Sequence, residues 1–545
     1  MSPEHLLAHA QSLKNSRRIQ EAIVAFEKLK GLYPKFPPIL NDLGILYLEQ
    51  GKLESGVTVL EKSIQVDSSQ ASTYYNLGRA YQMQGNFKKA ATAYNKATKL
   101  QPQMVDAFFN EGLSLFHLEQ FNEASEIFER LTKLHPNSAE ALNALGICLY
   151  HLKDYEESLS ILKKALLYNN LSPEIHNNIG LALHKFNRFE EAIDYYSKAI
   201  LINPQYADAL SNRALTYQAI QKTDDALADL DRCIAINPQH TDAHWNKALV
   251  HLLRGEYKEG WTGYEWRWQS YSKKWRRKFS QPTWLGQFPL KDKTIFVYPE
   301  QGLGDFIQFC RYVPMLSQAG ANVILEAPKP LIDIAKTLEG NIKVIEPNGS
   351  PGKFDYQAPL LSLPLAFGTS LESIPNKVPY LFADKRKIEI WQTRLGDKTS
   401  LRVGIAWSGA AGQANDHNRS MRLEAILPLL ELPFEYHLLQ KEVREADEDL
   451  LKKSKIRDHR SHIEDFSDTA ALIESMDFVI SVDTSVAHLA GALNKKMLVL
   501  LAFNAEYRWL LIREDYPWYP SVTLLRQSKI GEWDKPLNKL IEIIK

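Results

Sequence analysis

Small and large side chains recur along the first half of the chain with a period of 34 residues. Starting at Gly44, the step reaches Gly78, Gly112, Gly146 and Gly180, then Ala214 and Ala248, with Ala10 one step earlier. Twelve residues beyond each marker stand Ala22, Gly56, Ala90, Ala124, Ser158, Ala192, Ala226 and Gly260, all small; four further on stand Phe26, Leu60, Tyr94, Phe128, Leu162, Tyr196, Leu230 and Tyr264, all large. Fixed periods of 20 to 50 residues mark stacked supersecondary units. The two small positions predict paired helices in close approach, with the large residue filling the gap against the next repeat. Pro34, Pro102, Pro136, Pro204 and Pro238 share one phase and end the second helix of their repeats.

From Lys293 the pattern changes. Short apolar runs, TIFVYPE, NVILEAP and KVIEP, then RVGIAWSG, YHLLQ, DFVISVD and MLVLLAF, alternate with helical stretches. Strands alternating with helices predict parallel sheets built from βαβ units. The polar stretch Asp384–Lys398 divides this half into two lobes. The expected organisation is an all-α superhelix of eight repeats over residues 1–270, a Trp-rich junction over 271–290, an α/β N-lobe over 291–398 and an α/β C-lobe over 399–545. Ligands in such folds bind at the carboxyl ends of the strands.

Composition narrows the function. The 65 basic and 65 acidic residues cancel, which removes the broad positive field that nucleic acid requires. Cys148, Cys233 and Cys310 are too far apart for a Cys-x-x-Cys pattern and are expected as buried thiols. No apolar run reaches the roughly 20 residues that span a bilayer, and the start lacks a secretory pattern, so a cytoplasmic protein without a membrane span is expected. Around the junction, Trp261, Trp266, Trp268, Trp275 and Trp284 alternate with Lys273, Lys274, Arg276, Arg277 and Lys278. Such a cluster fits a single-strand nucleic-acid platform or a cap over the last repeat; its place where the periodicity stops favours the cap.

Candidate chemistry lies at strand ends. After TIFVYPE, Gly302 and Gly304 permit a tight turn, and the next helix offers amides to an anion. Ile307 replaces the third glycine of a dinucleotide fingerprint, which argues against NAD. Asp305 stands at this turn as a candidate base or a helix cap, with Glu300 the next acid to consider. In FVISVDTSVAHLAGAL, Asp483 ends a strand, Thr484 and Ser485 bring hydroxyls to a helix start that they would also cap, and His488 lies one turn on. Together they predict a diphosphate seat. Arg419, in a glycine-rich loop, is placed to neutralise a phosphate or to lie on the surface.

The 34-residue pattern, over about residues 3 to 270, resembles the tetratricopeptide repeat family, whose superhelices bind partners on a concave face. Asn76, Asn110, Asn178, Asn212 and Asn246 stand two residues before their markers, with Asp42 and Ala144 interrupting the row. This resembles the asparagine ladder lining the repeat arm of O-linked N-acetylglucosamine transferases. It implies a protein or peptide acceptor gripped through its backbone, while common local hydrogen bonding explains the same residues. The segments EQGLGDFIQFCRYVP, DFSDTAALIESMDFVISVDTSVAHLAGAL and YRWLLIREDYPWYPSVTLLRQ make the C-terminal half similar to family 9 heptosyltransferases of the GT-B fold. The resemblance implies a nucleotide-sugar donor as substrate, no cofactor and no metal, with Asp305 as base. Gly302, Gly304, Arg419, Gln440, Lys441, Asp483, Thr484, Ser485 and His488 are implied at the donor. Some repeat-bearing relatives belong to flagellin-glycosylation systems, which makes flagellin an acceptor to test. The chain departs from these relatives at Asn494-Lys495-Lys496, where they carry Gly-Lys-Pro. The competing expectation is a scaffold whose nucleotide-binding domain has lost turnover.

Overall fold

The computed structural model describes residues 3–269, 276–413 and 415–545. Trp275, Lys273 and Lys274 of the junction fall outside these residues. Two compact units divide the chain, Met1–Thr216 and Tyr217–Lys545.

In the first unit, helices pair at the predicted phase. Pro3–Asn15 pairs with Ile19–Leu32 and Pro37–Glu49 with Leu53–Val66, and the series continues to Pro173–Lys185 with Phe189–Ile202. Each second helix of a proline-closed repeat stops two residues before its proline. The marker glycines are required by close approach. A β-carbon on Gly44 would lie 2.5 Å from Leu60, and one on Gly78, Gly112, Gly146 or Gly180 would lie 2.6 Å from Tyr94, Phe128, Leu162 or Tyr196. The large residue therefore fills the gap inside its own repeat. It also shares a buried cluster with the next repeat, Leu60 with Leu77, Phe128 with Leu145 and Leu162 with Ile179; glycine removes the bulk where the two helices of a pair cross.

The asparagine row is largely spent on the repeats themselves. Asn76, Asn178 and Asn212 donate from Nδ2 to Oδ1 of Asn41, Asn143 and Asn177 in the preceding repeat, at 3.0, 2.9 and 2.9 Å, and Asn110 reaches Tyr75 Oη at 3.5 Å. A carboxamide has two donor protons and two acceptor lone pairs, so part of each remains for a ligand. Asn246 lies on Thr241–Arg254, in the second unit.

The second unit contains the last repeat helices and two parallel sheets. The first sheet joins β1 (Thr294–Tyr298), β2 (Asn322–Glu326), β3 (Ile342–Ile345) and β4 (Tyr356–Pro359) in the order β3-β2-β1-β4. The second joins β5 (Arg402–Ala406), β6 (Glu435–Leu438), β7 (Phe478–Val482), β8 (Met497–Leu501) and β9 (Val522–Arg526) in the order β6-β5-β7-β8-β9. Every pairing is parallel. Strand order reverses between β1 and β4 and between β5 and β7, and such switch points open the crevices in which α/β folds bind ligands. Asp384–Lys398, read as a polar divider, contains the helix Lys385–Leu395, which buries Trp391 and Leu395 and packs on Phe466–Glu474 of the C-lobe. Asn494 adopts φ 60°, a left-handed conformation that glycine takes without strain and asparagine tolerates. The three thiols are buried and free. No helix among the described residues is long and apolar enough to cross a membrane.

The junction aromatics are mostly core. Trp261 is buried among Tyr257, Tyr264, Phe309 and Tyr507, Trp284 packs on Phe367, and Trp266 stacks on His244. Arg267, fully buried, clamps Glu300 at the end of β1 through two bonds of 2.8 and 2.7 Å.

The glycine packing predicts that Gly112→Val, whose β-carbon would press on Phe128, destabilises the first unit by about 1–3 kcal/mol. Urea unfolding of the wild type and the variant should show a lower midpoint for the variant. An unchanged midpoint would contradict the packing account.

Candidate active site

One cavity of about 680 Å³ opens at the carboxyl ends of β1, β5 and β7, a size typical of small-ligand sites. Its wall contains every donor-side residue expected from the sequence: Gly302, Gly304, Asp305, Arg419, Gln440, Lys441, Asp483, Thr484, Ser485 and His488. Glu300 is not in the wall; its carboxylate is held by Arg267 and accepts from the Leu361 amide at 3.2 Å.

Two helix starts face each other here. After β1 the chain turns at Gln301, whose φ is 63°, and Leu303–Phe309 follows with extended Gly302 at its start. The strained turn therefore sits on Gln301 and not on the glycine pair. Gly304 is needed because the facing helix Ser485–Ala492 comes so near that a β-carbon would lie 2.9 Å from His488 Cδ2. Thr484 occupies the cap position of that helix, but its hydroxyl meets Ser481 Oγ at 3.2 Å and caps nothing. The expectation that capping occurs there is corrected. With no side-chain cap, the helix's first amides are open to a ligand, where the positive end of its dipole favours an anion.

The remaining predicted residues divide between ligand-facing and supporting positions. Arg419 donates from Nη1 to the Asp483 carbonyl at 2.8 Å and from Nε to Asp416 Oδ1 at 3.3 Å, fixing the cation beside Asp483. Gly409 makes room for it, since a β-carbon there would stand 2.5 Å from Arg419 Nη2. Gln440 spends its whole carboxamide on the protein: it accepts from Trp407 and Ser408 amides at 2.7 and 3.1 Å and donates to Ser408 Oγ and the Glu442 carbonyl, both at 2.9 Å. It shapes the loop after β5. Lys441 donates to the carbonyls of Ile463 and Glu464 at 2.9 and 3.2 Å, which leaves one ammonium proton.

Burial sets the charges. Desolvation and the Glu506 carboxylate push Asp483 up to about 6, with Arg419 opposing them. Burial among Arg508, Arg311 and Arg419 holds His488 far below its usual range, so its imidazole is neutral near pH 7. His488 Nδ1 lies 3.3 Å from Tyr519 Oη, and its ring stacks on Trp509. Asp305 is raised by burial and by Glu506, against the pull of Arg508. Its Oδ2 accepts from the Gly302 amide at 2.9 Å, and its Oδ1 pairs with Arg508.

Arg508 and Glu506 were missed by sequence reasoning. Arg508 stands between two buried aromatics in EYRWLL, a position with no spacing relation to Asp305, 203 residues earlier. An arginine flanked by core aromatics was the available signal.

The tetratricopeptide repeat family matches residues 37–103, 109–170, 173–206 and 211–260. Glycosyltransferase family 9 (heptosyltransferase) matches residues 464–533, which include Asp483, His488 and Arg508. Protein FlbA of Caulobacter vibrioides is 25% identical over 317 residues, 53% of this chain and 53% of that protein, so the chain spans about half the length of this curated relative. Among solved structures, YrrB, described as a TPR protein with an unusual peptide-binding site, is 25% identical over 34% of this chain and 95% of its own, with a TM-score of 0.28. PilF of Pseudomonas aeruginosa is 20% identical over 39% and 96%, with a TM-score of 0.34. Scores this low add nothing to the fold described above. The chain thus carries tetratricopeptide repeats across its N-terminal half and, toward its C-terminus, a segment similar to the family 9 glycosyltransferases.

Proposed function

We propose that the α/β unit is an inverting, metal-independent glycosyltransferase that moves a sugar from a nucleotide-sugar donor to a hydroxyl of a protein acceptor engaged by the repeats. The observation that carries this reading is the convergence of Asp305, Arg419, Asp483, Thr484, Ser485 and His488 on one cavity at two switch points. The donor diphosphate lies on the uncapped start of Ser485–Ala492, against the Thr484 and Ser485 hydroxyls and Arg419. Asp305 takes the acceptor proton as the acceptor oxygen bonds to the anomeric carbon. The bond from that carbon to the phosphate oxygen breaks on the opposite face, and its electron pair leaves with the nucleoside diphosphate. Fixed amides, hydroxyls and a guanidinium stabilise that charge in place of a metal ion. Flagellin is the acceptor to try first. The second reading, a binding scaffold without turnover, is favoured by the engagement of both Asp305 oxygens by protein groups.

Donor hydrolysis and transfer by the purified chain decide between the two readings. Asp305→Asn keeps the capping acceptor and removes the base, so kcat should fall about 10²-fold or more with folding intact. Activity should survive excess EDTA. Near-normal kcat in the variant removes Asp305 as base, and activity lost in EDTA but restored by magnesium or manganese removes the metal-free mechanism.

Asp483 adds a pH signature. Its carboxyl is protonated below about 6 and charged above, and a nucleotide sugar, which has no terminal phosphate monoester, keeps its charge across this range. Charge repulsion then weakens donor binding as pH rises through about 6, and Asp483→Asn flattens the profile. Calorimetry from about pH 5 to about pH 7.5 checks this; a flat wild-type profile contradicts it.

A further inference from the structure

Arg508 is a cation shared by two carboxylates, Asp305 from the N-lobe and Glu506 from its own loop, and it forms part of the cavity wall. Each Asp305 oxygen is engaged once, one by the Gly302 amide and the other by the guanidinium, and keeps one further lone pair. A carboxylate paired with arginine is a weakened base, because the cation favours its ionised form. Each carboxylate also has support apart from Arg508. The Gly302 amide retains Asp305, and Gln413 Nε2 donates to Glu506.

The backbone around Arg508 is pinned on both sides. Tyr507 is buried against Trp261 and Tyr264, and Trp509 stacks on His488 and packs against Tyr516. The motion open to Arg508 is rotation of its own side chain. The same cavity wall holds Arg419 and the uncapped helix start at Thr484 and Ser485. A diphosphate seated there offers the guanidinium a doubly charged, bidentate partner.

We propose, resting on the donor-site reading above, that Arg508 exchanges partners: in the unliganded site it masks Asp305, and an incoming diphosphate draws the guanidinium away and unmasks the base. Proton removal from the acceptor is thereby tied to donor occupancy. A site holding an acceptor but no donor keeps its base weakened.

Inorganic pyrophosphate, titrated calorimetrically into the full chain at one fixed pH, tests the exchange. Removing a competing carboxylate by Asp305→Asn should tighten pyrophosphate binding about five- to tenfold, within the usual span of site coupling. Arg508→Gln should weaken binding, and Asp305→Asn added to it should bring no gain. If Arg508→Gln does not fold, Arg508→Lys takes its place in the cycle, with the gain from Asp305→Asn reduced because the fork is lost. No gain from Asp305→Asn in the wild-type background, or an equal gain in the Arg508 variant, overturns the exchange. Pyrophosphate binding that responds to Arg419→Ala but not to Asp305→Asn rejects the exchange alone. Absence of pyrophosphate binding, or binding indifferent to Arg419→Ala, rejects the donor-site reading as well.

Discussion

The site depends on the contact between two short helices, Leu303–Phe309 of the N-lobe and Ser485–Ala492 of the C-lobe, at Gly304 and His488. Each helix begins at the carboxyl end of a strand beside a switch point, so their contact brings both crevices onto one cavity. Any side chain at 304 would meet the imidazole. Tyr519 behind His488 also lies against Tyr380, whose hydroxyl donates to the Ile307 carbonyl at 2.8 Å, so the ring is backed by both lobes.

Around this contact the protein buries charge with compensation. Arg267 and Glu300 tie the last repeat helix region to the end of β1 from inside the core, and removing one partner of such a pair costs about 3–5 kcal/mol. Arg311 is held without a carboxylate by the carbonyls of Gln308, Pro375 and Trp518, at 2.8, 3.1 and 2.7 Å, with the Tyr380 and Tyr519 rings over its guanidinium. Burial, with Arg508, Arg311 and Arg419 nearby, holds His488 neutral. In the cavity wall, Asp305, Glu442, Glu464, Asp465, Asp483 and Glu506 face Arg419, Lys441 and Arg508, so acidic side chains outnumber basic ones.

Local rules carried much of this far. Period and proline phase located every repeat helix pair, because a helix crossing repeats its steric demand in each unit. The seven apolar runs read as strands are strands, while β4 and β9 escaped notice: YQAP ends in proline, and VTLLR has two polar residues in five. Strand ends beside glycine and hydroxyl residues pointed to Asp305, Asp483, Thr484 and Ser485, and all four line the cavity. Partners could not be read the same way. Whether Gln440 faces a ligand or braces a loop, and which cation meets Asp305, are settled by residues tens to hundreds of positions away. The asparagine row shows the same limit, as its periodicity was visible while its inward pairing with Asn41, Asn143 and Asn177 was not.

The claim that the cavity between the two sheets seats a nucleotide sugar through its diphosphate is tested most directly by a crystal structure of the full chain with the nucleotide sugar that a hydrolysis screen selects. The account predicts diphosphate density on the amides of Ser485 and Val486, with Arg419 in contact and the sugar toward Asp305. Density elsewhere, or a diphosphate with no contact to that helix start, would contradict it.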